Sequence, residues 1–315
     1  MKFEFINKNE YLQRIQEFQD LFMCCFNKEI SKEFLIWRYM QNPMDELLVN
    51  VALDNNRIVA NYSASPYRVC IDGKLEKAAL SMTTMTHPDY RGKGLFPKLA
   101  MDLYKRMEEE NYIAVTGFPN NNSHSIFVEK LNWNNIYEIP TMKVDLSRID
   151  KSNSSISFNV VNDDNFSLDY SKLVNNKKNK IKVYKDVNYL KWRFKDNTVN
   201  KYVNYILLEN NYVVSSVITK SFNKSETDIV EVNSLDDCST KRLLEYIIDT
   251  EKGKGKKYIN MWCHLNSNTH GIVEKIGFVN TEPVSYFGVR CIKGNINDLR
   301  NYNNWDIQMG DSDVY

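Results

Sequence analysis

The apolar residues change period along the chain. Tyr11, Ile15, Phe18, Leu21 and Phe22 recur at helical spacing and predict an amphipathic helix, and Glu33 to Met40 predicts a second, shorter one. Two β-rich runs follow, Leu48 to Leu53 and Ile58 to Ser65, joined by Asp54-Asn55-Asn56, a tight-turn signal. A third run, Leu75 to Thr86, begins after the turn Ile71-Asp72-Gly73. Gly94 to Glu110 then carries Leu95, Leu99, Leu103 and Met107 on one helical stripe. A short strand (Tyr112 to Phe118), a helix (Ser123 to Leu131) and a strand (Asn135 to Leu146) complete the order αα-βββ-α-β-α-β. The second half follows the same plan. Strands near Val203 to Leu208, Val213 to Lys220 and Asp228 to Ser234 lead into a helix from Ser239 to Lys252, and the plan continues to Cys291.

The likeness of the halves extends to residues. Phe34-Leu35-Ile36-Trp37-Arg38-Tyr39 reappears as Tyr189-Leu190-Lys191-Trp192-Arg193-Phe194, and Leu53 to Val59 reappears as Leu208 to Val214, both at an offset of 155 residues. Val128 to Trp133 matches Val273 to Phe278 at an offset of 145. Such internal similarity points to a duplicated unit. The Ser-, Asn- and Asp-rich stretch Ser147 to Asn165 breaks the periodicity, so domains of 1–150 and 151–315 are expected. The fold class is α/β: two similar domains in tandem, each a mixed, mostly antiparallel sheet flanked by helices.

Composition narrows the function classes. In 315 residues, 41 Lys and Arg offset 40 Asp and Glu, leaving a net charge near +1 that offers no general attraction to nucleic acid or an anionic membrane. The N-terminus lacks a secretory pattern and no apolar run approaches the roughly 20 residues of a membrane span, so a cytoplasmic location is expected. The six cysteines show no CxxC or Cys/His ligand spacing, so reduced, mostly buried thiols are expected, with no metal site and no disulfide framework. Oligomeric state leaves no mark in the sequence.

The segment with the most chemistry is Thr86-His87-Pro88-Asp89-Tyr90-Arg91-Gly92-Lys93-Gly94-Leu95-Phe96-Pro97-Lys98-Leu99, lying between a predicted strand and a predicted helix. Glycines 92 and 94 allow successive N–H groups to converge at a helix N-terminus, a ready site for an anion such as a pyrophosphate. Arg91, Lys93 and Lys98 add positive charge at its rim. Gly253-Lys254-Gly255-Lys256-Lys257 is a decoy, because it follows a helix and faces the wrong end of the dipole.

With Arg91 and Gly94 at the signature positions of an Arg/Gln-x-x-Gly-x-Gly/Ala motif, the chain resembles the GNAT superfamily of acyl-CoA N-acyltransferases over about residues 48–146. The bulky Phe96 departs from the small last position and is expected to thicken the outer wall of the loop. Ala79 to Thr86 is similar to the family's central strand, and Gly117-Phe118-Pro119-Asn120-Asn121-Asn122-Ser123 to its Pro-Asn motif. The resemblance implies acetyl-CoA as acyl donor, with amides of Gly92, Lys93, Gly94, Leu95 and Phe96 on the pyrophosphate. It also implies the Met85 amide on the thioester carbonyl, and Asn120 and Ser123 beside the pantetheine arm. The reaction implied is direct attack of an amine on the thioester, favoured by positioning and backbone oxyanion stabilisation.

One departure concerns the acid. Many family members protonate the leaving thiolate with a Tyr near the end of the helix after the Pro-Asn motif, but Val128 stands there. Ser123 and His124, one turn earlier, are the candidate substitutes; His124 as a solvent-facing helix residue is the competing reading. His87 is a turn residue before Pro or a base, and Glu129 a solvated helix charge. Trp37 and Tyr39, with their copies Trp192 and Phe194, suit core packing better than a stacking platform. The expected acceptor is a primary amine on a small molecule or peptide. Residues 151–315 are expected to hold a degenerate copy with a structural role and part of the acceptor pocket. Two other classes stay open: a non-catalytic acyl-CoA-binding pseudoenzyme, and an aminoacyl-tRNA-dependent peptidoglycan-precursor transferase of similar doubled fold.

Overall fold

The computed structural model describes residues 1–149, 159–168, 170, 173, 180–294 and 297–315. It divides into two units, Met1–Tyr137 with Tyr286–Tyr302, and Glu138–Ser285 with Asn303–Tyr315. Residue 150, the expected boundary, lies outside the described residues. A single cut there reproduces neither unit, because each includes a segment from the other half of the chain.

The first unit opens with strand β1 (Lys2–Phe5), whose Lys-Phe-Glu-Phe alternation is too short to stand out in the sequence. Helices α1 (Lys8–Gln13) and α2 (Ile15–Phe26) replace the single helix expected around Tyr11 to Phe22. Asn7 and Glu10 form a capping box on α1, while Arg14 leaves helical geometry and starts α2. Helix α3 (Lys32–Met40) is capped by Ser31, which accepts from the Phe34 N–H. Strands β2 (Leu48–Asp54), β3 (Arg57–Ile71) and β4 (Lys74–Thr86) form an antiparallel meander. Its first turn places Asn55 and Asn56 at φ 47° and 62°, the left-handed pair that a two-residue hairpin demands.

Helix α4 (Leu95–Glu109) then crosses back, so that β5 (Tyr112–Gly117) runs parallel to β4. Helix α5 (His124–Leu131) and the start of β6 (Asn134–Asp145) follow. The α4 stripe of Leu95, Leu99, Leu103 and Met107 is buried against Leu48, Ala60 and Tyr62. Each fully buried leucine there contributes roughly 1.5–3 kcal/mol. Helices α1 to α3 cover the opposite sheet face through Val49, Val51, Met82 and Met85.

Past residue 149 the second unit contains β7 (Val160–Asn162), β8 (Ile181–Val183), α6 (Val187–Leu190, running into a π-turn over Lys191–Lys195), β9 (Tyr202–Glu209), β10 (Tyr212–Ser221) and β11 (Glu226–Ser234). Helix α7 (Asp237–Gly253), strand β12 (Tyr258–Trp262), helix α8 (Asn268–Ile276), strand β13 (Val279–Cys291, of which the part from Tyr286 belongs to the first unit) and strand β14 (Trp305–Asp306) follow. Asn210 and Asn211 close β9 to β10 at φ 50° and 65°, the same turn as Asn55 and Asn56. The sheet of this unit runs β7-β9-β10-β11-β12-β6, with β12 parallel to β11 and antiparallel to β6.

The exchange of strands now becomes explicit. The later part of β6 pairs with β12 in the second unit, Met142 opposite Met261, while the later part of β13 pairs with β5 in the first, Gly288 opposite Gly117. A Cβ on Gly117 or Gly288 would come within 3.1 or 3.0 Å of the Trp133 ring, so two glycines facing each other make room for that indole.

Trp37 and Trp192 are both buried, as are Arg38 and Arg193 beside them, which agrees with packing and leaves no stacking platform. Arg193 donates to Gly310 O at 3.1 Å, Tyr202 Oη at 3.0 Å and Ser312 O at 3.0 Å. Lys185, equally buried, is paired with Glu231 and with Asp311 at 2.7 Å. No helix among the described residues is long and apolar enough to cross a membrane.

Candidate functional site

The site starts from an irregularity in β4. Asn61 pairs with Met85 and Ser63 with Met82, so Thr83 and Thr84 together face Tyr62 alone, a β-bulge. Thr83 lies at φ 52°, and a β-branched residue held there costs on the order of 1–3 kcal/mol. Side chains of β3 hold the distortion. Asn61 Nδ2 donates to Thr83 O at 2.7 Å, and Ser63 Oγ, itself bonded to Tyr39 Oη at 2.8 Å, donates to Met82 O at 3.1 Å. On the other edge, pairing of β4 with β5 ends at Leu80 and Thr116. From Ser81 to Thr86, including Met85, that edge has no strand partner among the described residues.

Beyond the bulge, Pro88–Tyr90 forms a single 3-10 turn capped by His87, whose Nδ1 accepts from the Asp89 N–H at 3.3 Å. His87 is therefore a turn residue and not a free base. Gly92 and Gly94 follow at φ 74° and 68°, and a Cβ built on either meets nothing within 4 Å. The loop thus needs glycine for its backbone direction and leaves open space above it. Gly94 is the N-cap of α4; no side chain caps the helix and no acidic residue occupies its first turn. Uncapped amides and the dipole at such a helix start favour an anion.

Around the loop, Lys93 Nζ lies 4.4 Å from the Tyr90 ring centroid and Lys98 Nζ 3.9 Å from that of Phe3. Arg91 turns toward Cys25. Burial pushes the Cys25 thiol up, against the opposing pull of a hydrogen bond with the Thr86 backbone and the charge of Arg91. Phe96 does not thicken the outer wall as its size suggested. Its ring turns inward, 5.7 Å from Tyr62 and 5.2 Å from Phe127, because burial against two aromatic neighbours outweighs exposure at the loop.

Helix α5 brings Asn120, Ser123 and His124 together. Asn120 Oδ1 accepts from the N–H groups of Asn122 and Ser123 at 3.0 and 3.1 Å, and Ser123 Oγ donates to Asn120 Oδ1 at 3.2 Å. His124 is not solvent-facing: its ring stacks on Tyr286 with centroids 4.1 Å apart and planes 22° apart. Its Nε2 is buried with no hydrogen-bond partner. Tyr286 escapes sequence reasoning, since it comes from β13, some 160 residues on, and no local pattern announces the exchange. Asn61 and Ser63 escape it as well, being polar residues within an apolar strand run. Val128 is half-buried on α5, and Glu129 is exposed.

The second unit has a different helix start. Asp236 Oδ1 accepts from the Ser239 N–H at 2.8 Å and Asp236 Oδ2 from Ser239 Oγ at 3.0 Å, with Asp237 in the first turn of α7. That terminus is already capped and carries negative charge.

Residues 11–136 match the model of an acetyltransferase (GNAT) domain. Among solved structures, a probable N-acyltransferase of Enterococcus faecalis V583 superposes with a TM-score of 0.70 at 12% identity, covering 92% of this chain and 72% of its own. GCN5-related N-acetyltransferases of Anabaena variabilis and Kribbella flavida, each at 10% identity, also give 0.70, covering 93% and 92% of this chain and 73% and 70% of theirs. No curated protein matches the chain in sequence. The chain therefore has the GNAT acetyltransferase fold, and its residues 11–136 resemble an acetyltransferase (GNAT) domain.

Proposed function

We propose that the chain is an acyl-CoA-dependent N-acyltransferase that moves an acetyl group from acetyl-CoA to a primary amine of a small molecule or peptide, acting in the cytoplasm. The observation that carries this reading is the uncapped start of α4, with open space above Gly92 and Gly94, next in the chain to a β4 edge that has no strand partner. The residues present fit the donor. Amides of Gly92, Lys93, Gly94, Leu95 and Phe96 hold the pyrophosphate, with Arg91 and Lys93 adding charge. Asn120 and Ser123 border the pantetheine arm from the far side.

Acetyl-CoA supplies the activated acyl carbon when bound. In this reading the carbonyl sits at the bulged edge of β4, where a free backbone amide of that edge stabilises the oxyanion as the amine attacks directly, without a covalent enzyme intermediate. The amide expected there, that of Met85, is turned toward Asn61 on β3, in step with the His87 N–H to Val59 O bond. Ser123 and His124 are in this reading the residues that support proton delivery to the departing sulfur. One donor site per chain, in residues 1–150, follows from the capped and acidic start of α7. A screen of primary amines, including amino sugars and peptide N-termini, with acetyl-CoA and free-thiol detection tests the reading. Amine-dependent thiol release supports it. CoA binding without release by any amine would favour a non-catalytic binding protein, a reading that Val128 keeps open.

A further inference from the structure

The stacked pair His124 and Tyr286 joins the start of α5 to a strand from the far end of the sequence, within one unit. The β5 to β13 register, Gly117 opposite Gly288 and Thr116 opposite Val289, carries on to set Tyr286 across from Pro119, just beyond the end of β5. Side chains alternate along a strand, so Tyr286 shares a face with Gly288 and Arg290. Gly288 faces Trp133 and Arg290 lies 4.9 Å over the Tyr104 ring, which identifies that face as the one covered by α4 and α5.

Two polar groups at the start of α5, Ser123 and His124, are to be weighed beside Tyr286. Ser123 Oγ is committed to Asn120, and His124 Nε2 is sealed from solvent. Tyr286 is part-exposed, and its hydroxyl engages no protein group among the described residues. Only Tyr286 combines a transferable proton with access. Resting on the acyl-CoA reading above, we propose that Tyr286 is the catalytic residue that protonates the departing CoA thiolate, with His124 as the positioning residue that fixes its ring. The amine nitrogen bonds to the acyl carbon, the C–S bond breaks, and the sulfur takes the Tyr286 hydroxyl proton. The phenolate then regains, through water, the proton lost by the acylated nitrogen. One proton passes from nitrogen to sulfur and the enzyme is restored. Val128 lies four residues after His124, hence on the same face of α5, so a phenol placed there approaches the same space.

The test compares Tyr286→Phe, which keeps the stack, with wild type in acetyl-CoA thiol release, using hydroxylamine as a small amine nucleophile that needs no acceptor pocket. CoA binding is followed in parallel by calorimetry. The expected result is a kcat at least tenfold lower with unchanged CoA affinity, partly restored by Val128→Tyr in the Tyr286→Phe background. A kcat within threefold of wild type, with CoA still bound, overturns the role of Tyr286 alone. Failure of the wild-type protein to bind CoA overturns the underlying reading and this proposal with it. If Tyr286→Phe lowers CoA affinity in parallel with kcat and Val128→Tyr restores neither, Tyr286 is a packing residue and the proposal also falls.

Discussion

Replacing Gly94 probes the anion loop most directly. At φ 68° an alanine is strained by about 1–2 kcal/mol, and since nothing lies within 4 Å of its Cβ the cost stops there. Gly94→Ala is therefore expected to lower the melting temperature slightly and leave CoA affinity within a few fold. Gly94→Glu carries the same strain and adds a carboxylate beside the helix start. At ~5 Å and an effective dielectric near 20, each unit of like charge on the pyrophosphate opposes it by roughly 3 kcal/mol. The loop is exposed, so solvent and salt cut the net penalty to about 2 kcal/mol, a Kd rise of about thirtyfold. Calorimetric titration with CoA at two salt concentrations, alongside thermal melts, measures both effects. The loss is expected to shrink as salt rises. If Gly94→Glu melts like Gly94→Ala and binds CoA within threefold of wild type at low salt, the loop does not hold the pyrophosphate.

Three further outcomes are expected. Equilibrium binding of CoA gives one site per chain, and Asp236→Ala, which removes the α7 cap, costs about 1 kcal/mol of stability without changing that stoichiometry; two sites per chain would place a donor in the second unit. Ser123→Ala combined with His124→Ala lowers turnover more than threefold, a change above ~0.7 kcal/mol, whereas Val128→Phe changes it little; thiol-release kinetics decide. Burial raises the Asp228 carboxyl above its ordinary range, against a hydrogen bond from Asn260 and the charge of Lys220. A folded-state value above the unfolded one means that the charged form is disfavoured in the fold, so a penalty grows as pH rises through the interval between them. Asp228→Asn is thus expected to raise the melting temperature at pH 7 more than at pH 4, and an equal shift at both would contradict this.

The elements of the first unit are legible because their signals are local. The stripe Leu95, Leu99, Leu103 and Met107 specifies a helix, and glycines 92 and 94 specify a backbone that other residues resist. The turns at Asn55-Asn56 and Asn210-Asn211 read equally well. What escaped depends on partners far away in sequence. The pairing of β13 with β5 is encoded by nothing near either strand, and so neither the composition of the units nor the contact between His124 and Tyr286 could be read. The bulge at Thr83 escaped for a similar reason, since it is imposed by Asn61 and Ser63 across the hairpin. The inward turn of Phe96 needed the positions of Tyr62 and Phe127.

The exchange of strands has a consequence for how the protein is made. As the chain leaves the ribosome, residues 1–137 emerge with the outer edge of β5 unpaired, and it stays so until residues 286–291 follow. An uncovered strand edge is a template for association with other chains, and closing a sheet across some 170 residues is slow because the long loop must be ordered first. A fragment ending near residue 150 would carry the glycine loop intact, yet it would be a poor object for purification, prone to clump through the edge that β13 normally covers. Expression of the uninterrupted chain, or supply of the β13 segment in trans, would relieve that defect.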